Sequence, residues 1–297
     1  MTPISIPASV VPRPTRRFAP SLWLLTPGLL VLLAVFVVPL LMLTSRSVLD
    51  PSFTLKYYAQ IFTSSAFRDI FGISFEISAL TTVLCLLIGY PAAYVLAKTR
   101  GTTRSVLLGL VLLPFWTNIL VRSYAWIVML QAHGAINLAL VDWLHLISKP
   151  LPLVFNMTGV MFGMVHYLLP PTILILDSTM RGVDDRLLIA AQSFGATPRQ
   201  AFWRIFVPLT VPGIRAATIL IFIMSLGFFV TPALLGGRRQ LTIAMLINFE
   251  FTEMIQWSLG SALAIVLLVL TLLGLVAYYL VQPRRRSAGA GGGGMHG

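Results

Sequence analysis

Five stretches of this chain contain no Lys, Arg, Asp or Glu: residues 18–45, 77–97, 150–176, 216–237 and 254–283. A sixth, 105–121, resumes beyond Arg122 as SYAWIVML. A helix of about 20 apolar residues crosses the hydrocarbon core of a bilayer, and it satisfies every backbone polar group where no water can. The pattern therefore predicts an all-α membrane protein of six transmembrane helices, near 22–43, 71–97, 105–130, 154–177, 213–235 and 258–281. Only 10% of the residues are charged, where a soluble domain carries about 25%.

Basic residues fix the expected orientation, because segments left in the cytoplasm retain Lys and Arg. Arg13, Arg16 and Arg17 precede the first span, and Lys98, Arg100 and Arg104 follow the second. Arg181, Arg186, Arg199, Arg204 and Arg215 lie between the fourth and fifth, and Arg284, Arg285 and Arg286 follow the sixth. These fourteen face seven on the other side: Arg46, Lys56, Arg68, Arg122, Lys149, Arg238 and Arg239. Both termini are expected in the cytoplasm. The layout is a cytoplasmic segment 1–20, a six-helix transmembrane domain 21–282 with a loop at about 178–212, and a basic then Gly-rich tail 283–297. The first apolar run exceeds the 7–15 residues of a cleaved signal peptide and ends in no small-x-small site, so the first span is expected to be retained.

Other function classes find little support. The formal charge of +12 is spread between apolar runs, which argues for topology and against nucleic-acid binding. The three lysines, Lys56, Lys98 and Lys149, follow no phosphate-cradling Gly loop. Four dispersed histidines and the single Cys85 offer neither a metal cluster nor a disulfide. His166, alone in an apolar span, is either a proton-relay member or, the preferred reading, a donor to a carbonyl of a neighbouring helix. No catalytic constellation is visible, and the chain does not read as an enzyme.

One polar helical segment interrupts this pattern. Asp184 and Asp185 suit a helix N-terminus; Leu187, Leu188, Ala191 and Phe194 then recur along one face. Gly195 suits the left-handed residue that ends a helix. Thr197 is an N-cap followed by Pro198 at the first helical position. Ala201, Phe202, Ile205 and Phe206 form a second apolar face opposite Arg199, Gln200 and Arg204, and Pro208 and Pro212 punctuate the approach to the fifth span. An amphipathic anchor in lipid headgroups would need neither the Ala190-Ala191 pair nor the tight turn. Small residues beside a turn let another protein approach closely.

Read against the pattern E-A-A, three residues, G, nine residues, I-x-L-P, the chain has I-A-A-Q-S-F-G from Ile189 to Gly195, nine residues, then I-F-V-P from Ile205 to Pro208. It thereby resembles the cytoplasmic loop of inner-membrane permease subunits of binding-protein-dependent ABC importers. Ile189 stands in the usual place of glutamate, and Val207 in that of leucine. LLIGYPAAYVLA (86–97), LPFWTNILVRSYAWIVML (113–130) and GFFVTPALLGG (227–237) look like the spermidine/putrescine branch. The resemblance implies a bacterial inner-membrane protein paired with a second homologous permease, two ATPase subunits and a periplasmic solute-binding protein. ATP and Mg would be used by the ATPase, with no cofactor in this chain. Docking would fall on Asp184, Asp185, Ile189, Ala190, Ala191, Gly195, Arg199, Phe202, Arg204 and Pro208.

The solute path is sought among costly intramembrane polar groups and aromatic rings able to hold an amine: Glu76, Trp116, Asn118, Arg122, Tyr124, Trp126, Phe228 and Thr231. Glu76 is either a cation-attracting carboxylate or a partner of Arg68 or Arg122. Arg122 is expected to pair with a carboxylate or line a gate. Asp177 is expected to brace a helix end, and Thr231-Pro232 to break the fifth span.

Overall fold

The structure is a computed structural model that describes residues 19–50 and 52–281. Residues 1–18 of the expected N-terminal segment and the tail 283–297 lie outside the described residues. The described chain is helical, with one isolated β-bridge between Leu49 and Phe53. Among the described residues six helical stretches are long and apolar enough to cross a membrane, the third being Ile119–Trp143 with the shorter apolar helix Gly101–Trp116 before it. In chain order the helices are α1 (Ala19–Val48), α2 (Lys56–Thr63), α3 (Ser65–Lys98), α4 (Gly101–Leu112), α5 (Ile119–Leu130), α6 (Ala135–Leu138) and α7 (Met157–Arg181). They continue as α8 (Asp185–Ser193), α9 (Pro198–Ala201), α10 (Val207–Leu226), α11 (Val230–Leu235), α12 (Ile243–Thr252) and α13 (Trp257–Val281).

The centre of the fold is the packing of α3 on α7, with α10 laid against both. α3 and α7 run parallel: Ile77 shares a cluster with Val160 and Met164, while Leu96 shares another with Leu176 and Met180. Small residues bring the backbones close, as they do between helices that have no water to expel. A Cβ on Gly163 would collide with Thr231 and Leu235, and one on Gly213 with Thr179. Cys85 is fully buried between α3 and α7, an inert core position. A third cluster joins α2, α12 and α13 through Ile61, Leu246 and Leu263. α1 packs principally on α13, and its residues Leu29–Met42 are exposed almost throughout.

One end of the bundle, where α3 and α7 finish and α8 and α9 lie, is rich in Lys and Arg and is called here the basic end. Arg104 of α4 donates to both carboxylate oxygens of Asp177, at 3.1 and 2.7 Å, and to the carbonyl of Leu96. Its fork thus ties α3, α4 and α7 together, and Asp177 braces a helix end as expected. Beside it Lys98 is paired with Asp185.

Two crossings differ from the sequence expectation. The third is not a continuous helix over 105–130. It stops at Leu112, passes through a 3₁₀ turn at Leu113–Trp116 and an extended Thr117, and restarts at Ile119. Pro114 lies in that turn, and the Asn118 side chain accepts from the Leu120 amide to cap the second half. The fifth crossing is interrupted at Gly227–Phe229, before Thr231-Pro232. Pro232 sits in the first turn of α11, where its missing donor costs nothing.

Candidate functional site: a docking loop and two interrupted crossings

The segment between α7 and α10 folds as its local chemistry dictates. Asp184 caps α8, its carboxylate accepting from the Arg186 amide at 2.9 Å. Gly195 takes φ +88°, the left-handed conformation that ends the helix at little cost for a residue without Cβ. Thr197 and Gln200 form a reciprocal capping box around the start of α9, with Pro198 at its first position. Such a cap contributes about 1 kcal/mol. The chain then runs as one helical rod, Pro198–Leu226. Pro208 does not break it, because a π turn at Phe202–Phe206 immediately precedes it. That turn re-aims the carbonyl four residues back, which the ring would otherwise strike.

This loop has two faces. The inner one is apolar and buried: Phe202 and Phe206 stack on each other at 5.6 Å and meet Tyr94 of α3 edge-on at 5.3 and 5.2 Å. Leu188 packs on the same cluster. Phe202 therefore holds the loop to the bundle. The outer face carries Ile189, 63% exposed, and Phe194, 92% exposed, with Ala190, Arg199, Arg204 and Pro208 also exposed and Ala191 half-buried. An aromatic ring projecting almost wholly into solvent beside a tight turn is a knob in need of a socket. Asp185 is spent on Lys98.

The intramembrane candidates separate into groups. Arg122 pairs with no carboxylate among the described residues. Its guanidinium turns back into the gap in the third crossing, donating to the Pro114 carbonyl, to the Thr117 carbonyl at 2.8 Å and to the Thr117 hydroxyl. The Pro114 carbonyl also accepts from the Thr117 amide at 3.3 Å and the Thr117 hydroxyl at 2.8 Å. Arg122 therefore adds a charged donor to a turn that is already hydrogen-bonded and gives the Thr117 carbonyl a donor from its own chain. The same guanidinium lies 5.3 Å from the centre of the Tyr167 ring. Tyr167 contacts Phe115 of the third crossing at 6.4 Å and Phe228 of the fifth at 4.7 Å. Both interruptions thus meet at one residue of α7, roughly halfway along it.

Trp126 donates its indole N–H to His166 Nδ1 at 3.0 Å. His166 therefore accepts at Nδ1, because an indole offers only a donor, and the Nε2 side is left as the donor of a neutral ring. Trp126, Phe162 and His166 line an apolar groove that is open to the outside of the chain. Trp116, 90% exposed, and Tyr124, 57% exposed, project from the third crossing away from the bundle. Asn118 is used as a cap, and Thr231 is buried against Gly163. Glu76 is exposed on α3 and makes no ion pair with Arg68, Arg122 or any other described residue.

Tyr167 is the residue that sequence reasoning missed. Its only signal was a hydroxyl-bearing ring one residue after His166 and three before Pro170-Pro171 in an apolar run. Nothing in that pattern says that two other crossings break beside it.

Residues 85–287 match the family described as binding-protein-dependent transport system inner membrane component. The chain is 38% identical over 226 residues to the spermidine/putrescine transport system permease protein PotB of Haemophilus influenzae, covering 76% of this chain and 78% of that one. It is 36% identical over 227 residues to the PotB of Escherichia coli, covering 76% and 82%. It is 30% identical over 220 residues to the molybdenum transport system permease protein ModB of Azotobacter vinelandii, covering 73% and 94%. Among solved structures it shares its fold with a chain of a bacterial alginate ABC transporter in complex with alginate pentasaccharide-bound periplasmic protein. That match has a TM-score of 0.71 at 16% identity and covers 87% of this chain and 92% of that chain. With its six apolar crossings, the chain is a multi-pass protein of the bacterial inner membrane, and it belongs to the family of binding-protein-dependent transport system inner membrane components.

Proposed function

We propose that this chain is one permease subunit of an ATP-driven importer for a polyamine or related small amino compound. The observation that carries the reading is the capped α8–Gly195–α9 turn, held to the bundle by Phe202 and Phe206 while Ile189 and Phe194 project outward. In this reading the basic end is cytoplasmic, in keeping with its excess of Lys and Arg, and ATP is hydrolysed by a separate ATPase that receives the knob. A second permease of the same kind completes the pathway, two ATPase subunits drive it, and a periplasmic binding protein delivers the solute.

Force applied to α8 and α9 passes directly into α10, since α9, the π turn and α10 form one rod. Rotating that rod moves Gly227–Phe229 against Tyr167, the level at which the third crossing is also interrupted. This is alternating access by rocking of packed bundles. Discontinuous helices at mid-membrane are where such proteins bind and gate their solutes. The names of the PotB relatives favour a polyamine. So do the outward aromatic rings Trp116 and Tyr124, which can hold an alkylammonium by cation–π contact. The unpartnered Glu76 carboxylate adds a countercharge. Asn118 and Arg122 shape the path from behind as cap and clamp, and Phe228 forms its moving wall, with Thr231 packed behind it on Gly163.

Co-purification and uptake test this. Tagged chain extracted from its native membrane should bring a second permease and an ATPase. Vesicles holding the complex and the binding protein should accumulate labelled spermidine or putrescine only with ATP inside the compartment that faces the basic end. A chain that emerged alone, and that transported without ATP, would instead be a secondary transporter.

A further inference from the structure

At the basic end, the last turns of α3 and α7 and the first turns of α4 and α8 enclose a cavity of about 310 Å³. Its wall carries Lys98, Arg100, Arg104 and Arg181 but a single carboxylate, Asp185. Two of the four cations are satisfied, Lys98 by Asp185 and Arg104 by Asp177 from the neighbouring turn. The other two, Arg100 and Arg181, make no hydrogen bond or ion pair among the described residues. The wall also contains the start of α4. Arg100 occupies its N-cap position, and no side chain caps the first-turn amides. The floor is apolar and includes Met180 and Val183.

We propose that this cavity binds the phosphate of an anionic phospholipid headgroup, gripped by Arg100 and Arg181. Guanidinium forks match phosphate oxygens two at a time. The amides at a helix start add oriented donors and a positive dipole end. The volume lies at the lower end of the roughly 300–1,000 Å³ typical of small-ligand pockets, and an apolar floor suits the glycerol end of a lipid. Retention of basic residues in the cytoplasm accounts for positive charge here but not for its arrangement in a concavity around two unpaired arginines. The headgroup assignment rests on the proposed orientation, which places this end in the anionic cytoplasmic leaflet, where basic pockets between helices collect such lipids. One consequence is positional. Asp185 both begins α8 and pairs with Lys98, so the bound lipid holds the docking loop at a fixed height above α3.

The test is lipid retention by the full chain, purified with whatever subunits it brings from membranes containing phosphatidylglycerol and phosphatidylethanolamine. The expected result is phosphatidylglycerol enriched at least threefold over the bulk membrane. In Arg100→Gln/Arg181→Gln the enrichment is lost. In Arg100→Lys/Arg181→Lys, which keeps the charge and guards against misfolding, it is reduced but present. Arg215→Gln, which removes an exposed arginine of α10 outside the cavity, leaves it intact. An equal loss in Arg215→Gln, or no enrichment in the wild type, would overturn the proposal in favour of generalised charge. Displacement of the lipid by millimolar inorganic phosphate at equal affinity would make the ligand a soluble anion and overturn the lipid assignment. A double variant that kept its phosphatidylglycerol yet lost the ATPase would assign the cavity to that partner. Because retention needs neither ATP nor solute, its outcome is independent of whether the chain imports polyamines.

Discussion

The ring of Tyr167 lies 4.7 Å from that of Phe228, with the Arg122 guanidinium 5.3 Å from the same tyrosine ring. Residues from the two interrupted crossings therefore touch a single side chain of α7. Interruptions that share a neighbour cannot rearrange independently, since packed interiors shift between discrete arrangements and do not deform continuously.

Arg122→Gln removes the fork that bridges the carbonyls of Pro114 and Thr117. Hydrogen bonds from a charged group are worth about 1.5–3 kcal/mol, so thermal unfolding in detergent should show a loss of that order. Arg122→Lys should recover only part of it, because an ammonium cannot span acceptors arranged for a planar fork. Equal stability of wild type and Arg122→Gln would show that the carbonyls find other donors.

Arg104 and Asp177 form a largely buried pair, their side chains 16% and 7% exposed. Arg104→Met leaves a buried carboxylate alone and should cost about 3–5 kcal/mol. The double variant Arg104→Met/Asp177→Leu removes the orphan charge and should restore most of that loss. Additive losses in denaturation would argue that the two residues stabilise the helix ends separately.

Gly195→Val forces a β-branched residue to φ +88°, a conformation that costs roughly 1–3 kcal/mol for such a side chain. The loop should open while the six crossings remain inserted. Uptake should fall at least tenfold while ATP hydrolysis by the assembled complex persists, and unchanged coupling would remove the turn from force transmission.

Phe194 is 92% exposed, so Phe194→Asp should leave thermal stability unchanged. If the ring fills a socket on the ATPase, its loss should weaken association about thirtyfold, the equivalent of ~2 kcal/mol for a central aromatic contact. Immunoprecipitation at matched expression reads this directly.

Glu250 on α12 is buried, and its Oε2 has no hydrogen-bond partner. Desolvation raises its pKa above the usual glutamate value. A carboxyl that holds its proton more tightly when folded contributes most at low pH. Stability should therefore decline as pH rises through the interval between the ordinary and the raised value. Glu250→Gln should be as stable as wild type at pH 4 and more stable at pH 8. The opposite ranking would mean that the carboxylate finds a donor when ionised.

Residues whose structure is set by their immediate neighbours could be read in advance. Asp184, Gly195, Thr197 and Pro198 do what their side chains and dihedral preferences dictate, and charge-free runs mark the crossings because nothing else tolerates a bilayer. What was illegible depends on long-range partners. The interruption at Pro114 is held by Asn118 as a cap and Arg122 as a donor, partners that no local pattern announces. Pro232 looked like a breaker, yet the chain breaks three to five residues earlier and leaves the proline in a first turn. Glu76 invited pairing with Arg122, which is already occupied by carbonyls.

The self-sealed gap at Pro114–Asn118 bears on how such a protein is made. A newly synthesised crossing that exposed bare carbonyls to lipid would need another subunit beside it at once. Because Arg122 of the same chain closes Pro114 and Thr117, this crossing can leave the insertion machinery and wait in the bilayer for its partners, which makes the order of assembly free at that step.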